Sequence, residues 1–390
     1  MALALAALAA SAFLTGVVRR LALAVGFVDQ PGGRKTHAAP TALGGGVVIF
    51  WVTAAPLALA ALAGVAWQEQ APAWVGATVA EHLPGLARRA GALGILLGAA
   101  GILHVMGLID DRHRLGPKVK LAVQFGVAFL IAGPGGMRFT FFIPSELLAT
   151  ALTVLWIVVI INAFNFLDNM DGLSAGVAAI CGAILLSAAA GSGQIFVSAF
   201  VALFLGALLG FLIFNFAPAR IFMGDAGSLV VGLFIAVATI QTTYYQQAQP
   251  SSRFFSAFMP LVALAVPLYD FVSVTLIRLA QGASPFVGDQ QHFSHRLVRR
   301  GMSTRQAVLT IYLATAGTGL GATFLNDLPA FGAVLVLLQA LLIVLIIAIL
   351  EQPVRTTLLT SEPGGNQPAS GACPARPHHD TDEPESSSLP

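Results

Sequence analysis

Four polar residues recur at intervals of three in the segment NAFNFLDNMDG: Asn162, Asn165, Asp168 and Asp171. On a helix, positions three apart are neighbours, so this spacing predicts one slowly drifting polar stripe. Two more acids, Asp110 and Asp111, stand side by side in GLIDDRHRLGPKVK among Arg112, Arg114, Lys118 and Lys120. Adjacent helical side chains diverge by about 100°, which sends the pair to two different partners. Asp225 follows Gly224 in NFAPARIFMGDAGSLVVG, with Gly227 and Ser228 opening an apolar run. There the free N–H groups and positive dipole end of a helix would meet a phosphate. A last group, Asp289, His292, His295, Arg296, Arg299 and Arg300, lies in SPFVGDQQHFSHRLVRRGMS.

Short carboxylates suit a hard divalent cation, and Lys, Arg and His suit phosphate oxygens. Ordinary explanations cover part of the pattern. Helix caps use one or two Asn or Asp residues, not four in register. A basic loop facing anionic lipid would account for the arginines but not for the acids. His292 and His295 have a spacing that zinc tolerates, yet no cysteine or third ligand accompanies them. An earlier loop, GFVDQPGGRKTHAAPTALGGG, adds Asp29, Arg34, Lys35 and His37, without the GxxxxGK[ST] pattern of a P-loop.

The elements that must position these residues are apolar. Of 390 residues 57% are hydrophobic and only 10% charged, against about 25% charged in a soluble domain. Mean hydropathy is +0.83. Runs of about 20 apolar residues, enough to cross a bilayer, recur from end to end. They predict an all-α polytopic membrane protein with about eleven spans. The expected spans are roughly 2–18, 43–66, 90–109, 119–133, 146–161, 172–191, 194–213, 226–245, 255–279, 305–325 and 330–350. The first run has no basic residue before it, and Arg19 and Arg20 follow it. It reads as a retained helix, not a cleaved signal.

Sixteen of the twenty Lys and Arg residues fall on one side of this arrangement. The positive-inside rule makes that side cytoplasmic, with the N-terminus outside and the C-terminus inside. The expected domains are a membrane-embedded region, 1–351, and a disordered cytoplasmic tail, 352–390, rich in Pro, Ser and acids. The two cysteines suggest neither a disulfide framework nor a CxxC metal site.

Taken in order, D-Q-P-G-G-R-K-T-H, L-I-D-D-R, N-A-F-N-F-L-D-N-M-D-G, N-F-A-P-A-R-I-F-M-G-D-A-G-S and D-Q-Q-H-F-S-H-R-L resemble the polyprenyl-phosphate N-acetylhexosamine-1-phosphate transferases. This is the superfamily of MraY and WecA, and the ending looks like its WecA/TagO branch. The resemblance implies transfer of a sugar-1-phosphate, N-acetylglucosamine-1-phosphate first, from a UDP-sugar to undecaprenyl phosphate at the plasma membrane. UMP is the other product, and the step initiates a cell-envelope glycan. It implies Mg²⁺, or Mn²⁺ in its place. It also implies Asp225 with Asn165 and Asp111 at the metal, and the Asp110–Asp111 pair serving metal and lipid phosphate. Asp168 and Asp171 would lie in the nucleotide site. His292 and His295 would grip phosphates, with Lys35, Asn162, Asp289 and Arg296 as further binding residues.

Three positions depart from the family pattern. Ser294 stands where H-x-H-H has a histidine, Arg114 where many relatives have a third acid, and P-T-A-L-G-G-G where P-x-P-R-x-G-G is usual. They bear on which donor is used, not on the reaction. The expected partners are the UDP-sugar, the lipid phosphate and membrane lipid, without nucleic acid and with a homodimer left open. The competing reading is a cation-coupled transporter, which would carry acids at mid-span. Asp270, beside Pro267, is the one acid well inside an apolar run.

Overall fold

The computed structural model describes residues 1–30, 40–139, 143–242, 255–282, 291–325 and 328–351. Lys35 and Asp289, and with them most of the first loop and the 352–390 tail, lie outside those residues. Met1–Gln352 cluster as one compact unit.

The described residues are almost all helical. In chain order the elements are α1 Ala2–Ala24, β1 Val28–Asp29, β2 Thr41–Ala42, α2 Gly45–Trp67, α3 Ala77–Ala80, α4 Leu83–His113 and α5 Pro117–Ala132. Then come α6 Glu146–Leu167, α7 Leu173–Gly191, α8 Ile195–Asn215, α9 Asp225–Gln241, α10 Met259–Ala263 and α11 Ala265–Ala280. The chain continues with α12 Phe293–Arg299, α13 Thr304–Phe324 and α14 Ala330–Leu350. Eight of these helices are long and apolar enough to cross a bilayer: α1, α2, α4, α6, α7, α8, α13 and α14. The three remaining expected spans fall on α5, on α9 and on α10 with α11, helices of 16, 17, 5 and 16 residues. The protein is an all-α, multi-pass membrane protein.

Two boundaries matter for the chemistry. The third expected span covers 90–109, but α4 runs 31 residues to His113. At 1.5 Å per residue that is about 46 Å, well beyond a hydrocarbon core of about 30 Å. Asp110 and Asp111 therefore ride on a rigid helical extension. The fifth expected span covers 146–161, but α6 continues to Leu167 with Asp168 as its C-cap. Asn162 and Asn165 are on the helix, whereas Asp171 lies in the turn beyond it. The expected four-residue stripe is thus two asparagines and two turn acids. The ninth span is broken at Leu264 between α10 and α11.

α9 is the centre of the bundle. Residues 226–239 are buried on every side, the mark of a helix that is apolar all round. α6, α4, α2 and α7 surround it. Its entry is knitted to the start of α2: Phe222 N–H donates to Ala42 O at 2.8 Å, while Gly45 and Gly46 N–H donate to Phe222 O and Met223 O at 3.0 Å. A two-residue antiparallel ladder, Val28 opposite Ala42 and Asp29 opposite Thr41, extends this edge.

Candidate active site

Each acid reaches the site through a separate local device. Asp225 is the first residue of α9, preceded by Gly224 at φ +71°. A side chain there would be strained, and its Cβ would run into the Asp111 carboxylate. Asp111 crosses from α4 and caps α9, its Oδ1 accepting from Asp225 N–H at 2.8 Å and its Oδ2 from Ala226 N–H at 3.3 Å. Asp110 faces elsewhere, as adjacent helical positions must. It accepts from Leu115 N–H at 2.6 Å and from Lys120 Nζ at 3.0 Å.

The same Lys120 ammonium contacts Asp225 Oδ2, so one cation bridges the two carboxylates. Asn165 donates to Asp225 Oδ1 at 3.0 Å and to Ser228 Oγ at 2.9 Å. His104 Nδ1 lies 3.0 Å from Ala226 O, and its ring stacks on Phe50. At Gly107 the α4 backbone meets that of Ala226 so closely that a Cβ would collide. The first turn of α9 is thus held by α2, α4 and α6 together.

The turn after α6 supplies the second group of acids. Asp171 accepts from Ala219 N–H at 2.8 Å. Gly172 N–H donates to Asn215 Oδ1 at 3.1 Å, and Tyr312 from α13 donates to Gly172 O. Burial pushes the Asp168 carboxyl well above the usual carboxylate range, and the charges of Asp225, Asp111 and Asp171 push it further. Four acids repelling one another in a half-buried place are an arrangement that a cation stabilises.

These groups line one cavity of about 430 Å³, within the range of small-molecule sites. Asp110, Asp111, Asp168, Asp171 and Asp225 line it, with His295, Arg114, Asn169, Asn215 and Asp29. Every acid expected at the site, apart from Asp289 outside the described residues, is therefore in one place. Asn165 touches the cavity through Asp225.

Three expected site residues turn elsewhere. Asn162 donates to Gln124 Oε1 at 2.6 Å and to Val158 O at 2.8 Å, and lines a smaller pocket of about 110 Å³ beside Lys120 and Asn165. Only Asn165 of the two α6 asparagines faces the acids, because three residues on a helix turn the side chain by about 300° and the stripe drifts. His292 is buried, its Nδ1 3.0 Å from Asp270 Oδ2. Arg296 pairs with Glu351 Oε2 at 2.9 Å and donates to Ser273 Oγ at 2.9 Å, so its guanidinium packs against α11 and the end of α14. Those pairings are tertiary and have no local sequence signal.

Lys120 was visible in the sequence only as one of several loop cations. Its place in the first turn of α5, one short loop from Asp110, was the available signal. Asn169 and Asn215 had none beyond their residue type. Among the described residues no group of three or more His, Cys, Asp or Glu side chains is arranged to hold a metal ion by itself. Mg²⁺ does not require one, since it binds through one or two carboxylates, waters and substrate phosphates.

Comparison with known proteins is consistent with this geometry. Residues 93–243 match the model of glycosyl transferase family 4. This stretch contains the Asp110–Asp111 pair, the Asn165–Asp171 segment and Asp225. The chain is 33% identical over 307 residues to a probable undecaprenyl-phosphate N-acetylglucosaminyl 1-phosphate transferase of Bacillus subtilis, covering 77% of each chain. It is 34% identical over 342 residues to a decaprenyl-phosphate N-acetylglucosaminephosphotransferase of Mycobacterium tuberculosis, covering 80% of this chain and 78% of the other. An undecaprenyl-phosphate alpha-N-acetylglucosaminyl 1-phosphate transferase of Escherichia coli is 27% identical over 340 residues, at 83% and 84% coverage. With the acids gathered at one end of the helices and relatives matched over most of their length, the chain belongs to glycosyl transferase family 4.

Proposed function

We propose that this protein transfers N-acetylglucosamine-1-phosphate from UDP-N-acetylglucosamine to a polyprenyl phosphate, with undecaprenyl phosphate the expected acceptor. The site would face the cytoplasm at the plasma membrane. The observation that carries the reading is the convergence of five aspartates with Lys120, Arg114 and His295 at the helix ends. A lipid phosphate and a soluble nucleotide meet at such a level, and a transporter would carry its acids at mid-span instead. The named activity of the relatives agrees with this reading.

In the reaction an oxygen of the lipid phosphate bonds to the β-phosphorus of the nucleotide sugar. The phosphoanhydride bond to UMP breaks, and UMP departs with its electron pair. One diphosphate linkage replaces another, so the work is to position two anions and offset their repulsion. A phosphate monoester has its second pKa near 6, so the acceptor is already mostly dianionic at neutral pH. No strong base is needed. Lys120 holds Asp110 and Asp225 in place and offers positive charge beside them, while Arg114 and His295 suit the phosphates of the donor.

We infer Mg²⁺, with Mn²⁺ an alternative, as the resident cation. The residues fit it: an ammonium already sits between Asp110 and Asp225, and Asp111 retains lone pairs beyond its two bonds to α9. Asp225, Asp111 and the side chain of Asn165 would hold it. When bound, such an ion offsets charge on the reacting diphosphate.

Direct displacement is favoured over an aspartyl intermediate. The lipid phosphate is already a competent nucleophile, so an aspartyl intermediate adds a step without removing a difficulty. The hydrogen bonds held by Asp110 and Asp111 tie both carboxylates to structural partners. The test is UMP release by purified protein, with a panel of UDP-sugars and with or without polyprenyl phosphate and Mg²⁺. Release is expected with UDP-N-acetylglucosamine only when the lipid and Mg²⁺ are both present. Absence of release with every sugar defeats the proposal. Labelled UMP exchanging into UDP-sugar in delipidated enzyme would instead establish a covalent step.

A further inference from the structure

Asp270 is the acid that neither the sequence pattern nor the reaction accounts for. It lies in α11, where a carboxylate is costly for a membrane helix, and it is 1% exposed. Its carboxylate meets two groups, both at the start of α12. Oδ1 accepts from Phe293 N–H at 2.8 Å, and Oδ2 lies 3.0 Å from His292 Nδ1, the geometry in which the ring donates its proton to the carboxylate. His292 is the N-cap of α12, so Asp270 takes up one of the orphan donors of that helix from outside it.

The rest of this turn is fixed with equal economy. The His292 ring meets Phe166 in a T-shaped contact at a centroid distance of 5.5 Å, and Phe166 lies between Asn165 and Asp168 on the acid-bearing segment. Phe293 is buried against Tyr269. Ser294 Oγ donates to Asn169 Oδ1 at 2.6 Å, and Asn169 lines the cavity. Of the four side chains 292–295, only His295 lines the cavity itself.

We propose that Asp270 is a positioning residue: through His292 Nδ1 and Phe293 N–H it clamps the first turn of α12 so that His295 faces the cavity. The two histidines then have different jobs, His292 as part of the clamp and His295 toward the substrate phosphates. The proposal rests on the transferase reading above. Carboxylates that orient metal-bound histidines act at about ten- to a hundredfold, and the lower end of that range is the scale expected for this clamp.

The experiment compares wild type, Asp270→Asn, His295→Gln and the double variant, with wild-type activity established first. Asp270→Asn keeps the shape and an acceptor for Phe293 N–H but loses the charge that holds the imidazole. Its kcat/KM is expected to fall about tenfold, carried by KM for UDP-N-acetylglucosamine. The double variant should be no worse than the worse single one, because Asp270 acts through His295. A fall in kcat alone, or losses that multiply, would overturn the proposal, since either is what general destabilisation gives. A second arm needs no activity and so separates this proposal from the transferase reading. In a background with Cys181 and Cys373 replaced, maleimide labelling of the His295→Cys thiol should speed up by about threefold or more when Asp270→Asn is added, because the thiol leaves a cavity whose carboxylates disfavour its thiolate. An unchanged labelling rate would overturn the clamp.

Discussion

Lys120 illustrates how much one side chain decides at this site. Its ammonium joins an acid from the end of α4 to the acid that opens α9. Without it, Asp110 and Asp225 would face each other unscreened. Lys120→Met is expected to lower kcat about a hundredfold, the usual cost of removing one fixed electrostatic partner. Lys120→Arg should not restore the rate, because a planar fork does not fill the place of a compact ammonium. A near-wild-type rate of UMP release from Lys120→Met would remove Lys120 from the mechanism. Asp225→Asn keeps the shape at the helix start but loses the charge. It should abolish transfer while the protein still elutes as a folded species in detergent. Substantial turnover by that variant at ordinary Mg²⁺ would contradict a metal role for Asp225.

At the scale of elements, the site depends on how closely α4 approaches α9. Gly107 faces the backbone of Ala226 directly, whereas Gly94 and Gly98, on the same helix, have nothing within 4 Å of an added Cβ. Gly107→Ala should therefore force the two helices apart, at about 1–3 kcal/mol for overpacking. The first turn of α9 would move with it, and Asp225 away from Asp111 and Lys120. Gly98→Ala should leave both thermal stability and turnover near wild type. Equal melting temperatures and rates for the two variants would show that this contact does not position the site. Helix propensity alone favours both substitutions, so any difference between them comes from packing.

For the whole molecule, the sidedness of the cavity is the property to measure. The cavity gathers the ends of α4 and α6, the start of α9 and the α12 turn at one end of the bundle. Sixteen of the twenty basic residues are expected on that side. Gly116 is exposed near the cavity end, and Glu81 is exposed in the α3–α4 connection at the start of α4. In a background with Cys181 and Cys373 replaced, Gly116→Cys should react with an impermeant maleimide only after the membrane is opened. Glu81→Cys should react in intact cells. Labelling of Gly116→Cys from outside would invert the topology and place the donor nucleotide on the wrong side.

The sequence by itself determined the class of the molecule, because lipid leaves a chain little choice. Runs of apolar residues about 20 long must become helices to satisfy their backbone, so an all-α bundle was legible from composition and spacing. Clustering of Asp110, Asp111, Asp168, Asp171 and Asp225 was legible too, since each closes or opens an apolar run and the runs alternate in direction. Tertiary structure alone decided what each polar side chain faces. Asn162 and Asn165 look alike in the sequence, yet one meets Gln124 and the other Asp225. His292 and His295 form one motif, yet Asp270, 22 residues before His292, claims the first and leaves the second at the cavity. Helical spacing fixes direction only relative to the helix's own axis. How each helix is rotated in the bundle is set by contacts such as Gly107 on Ala226, between residues more than a hundred positions apart.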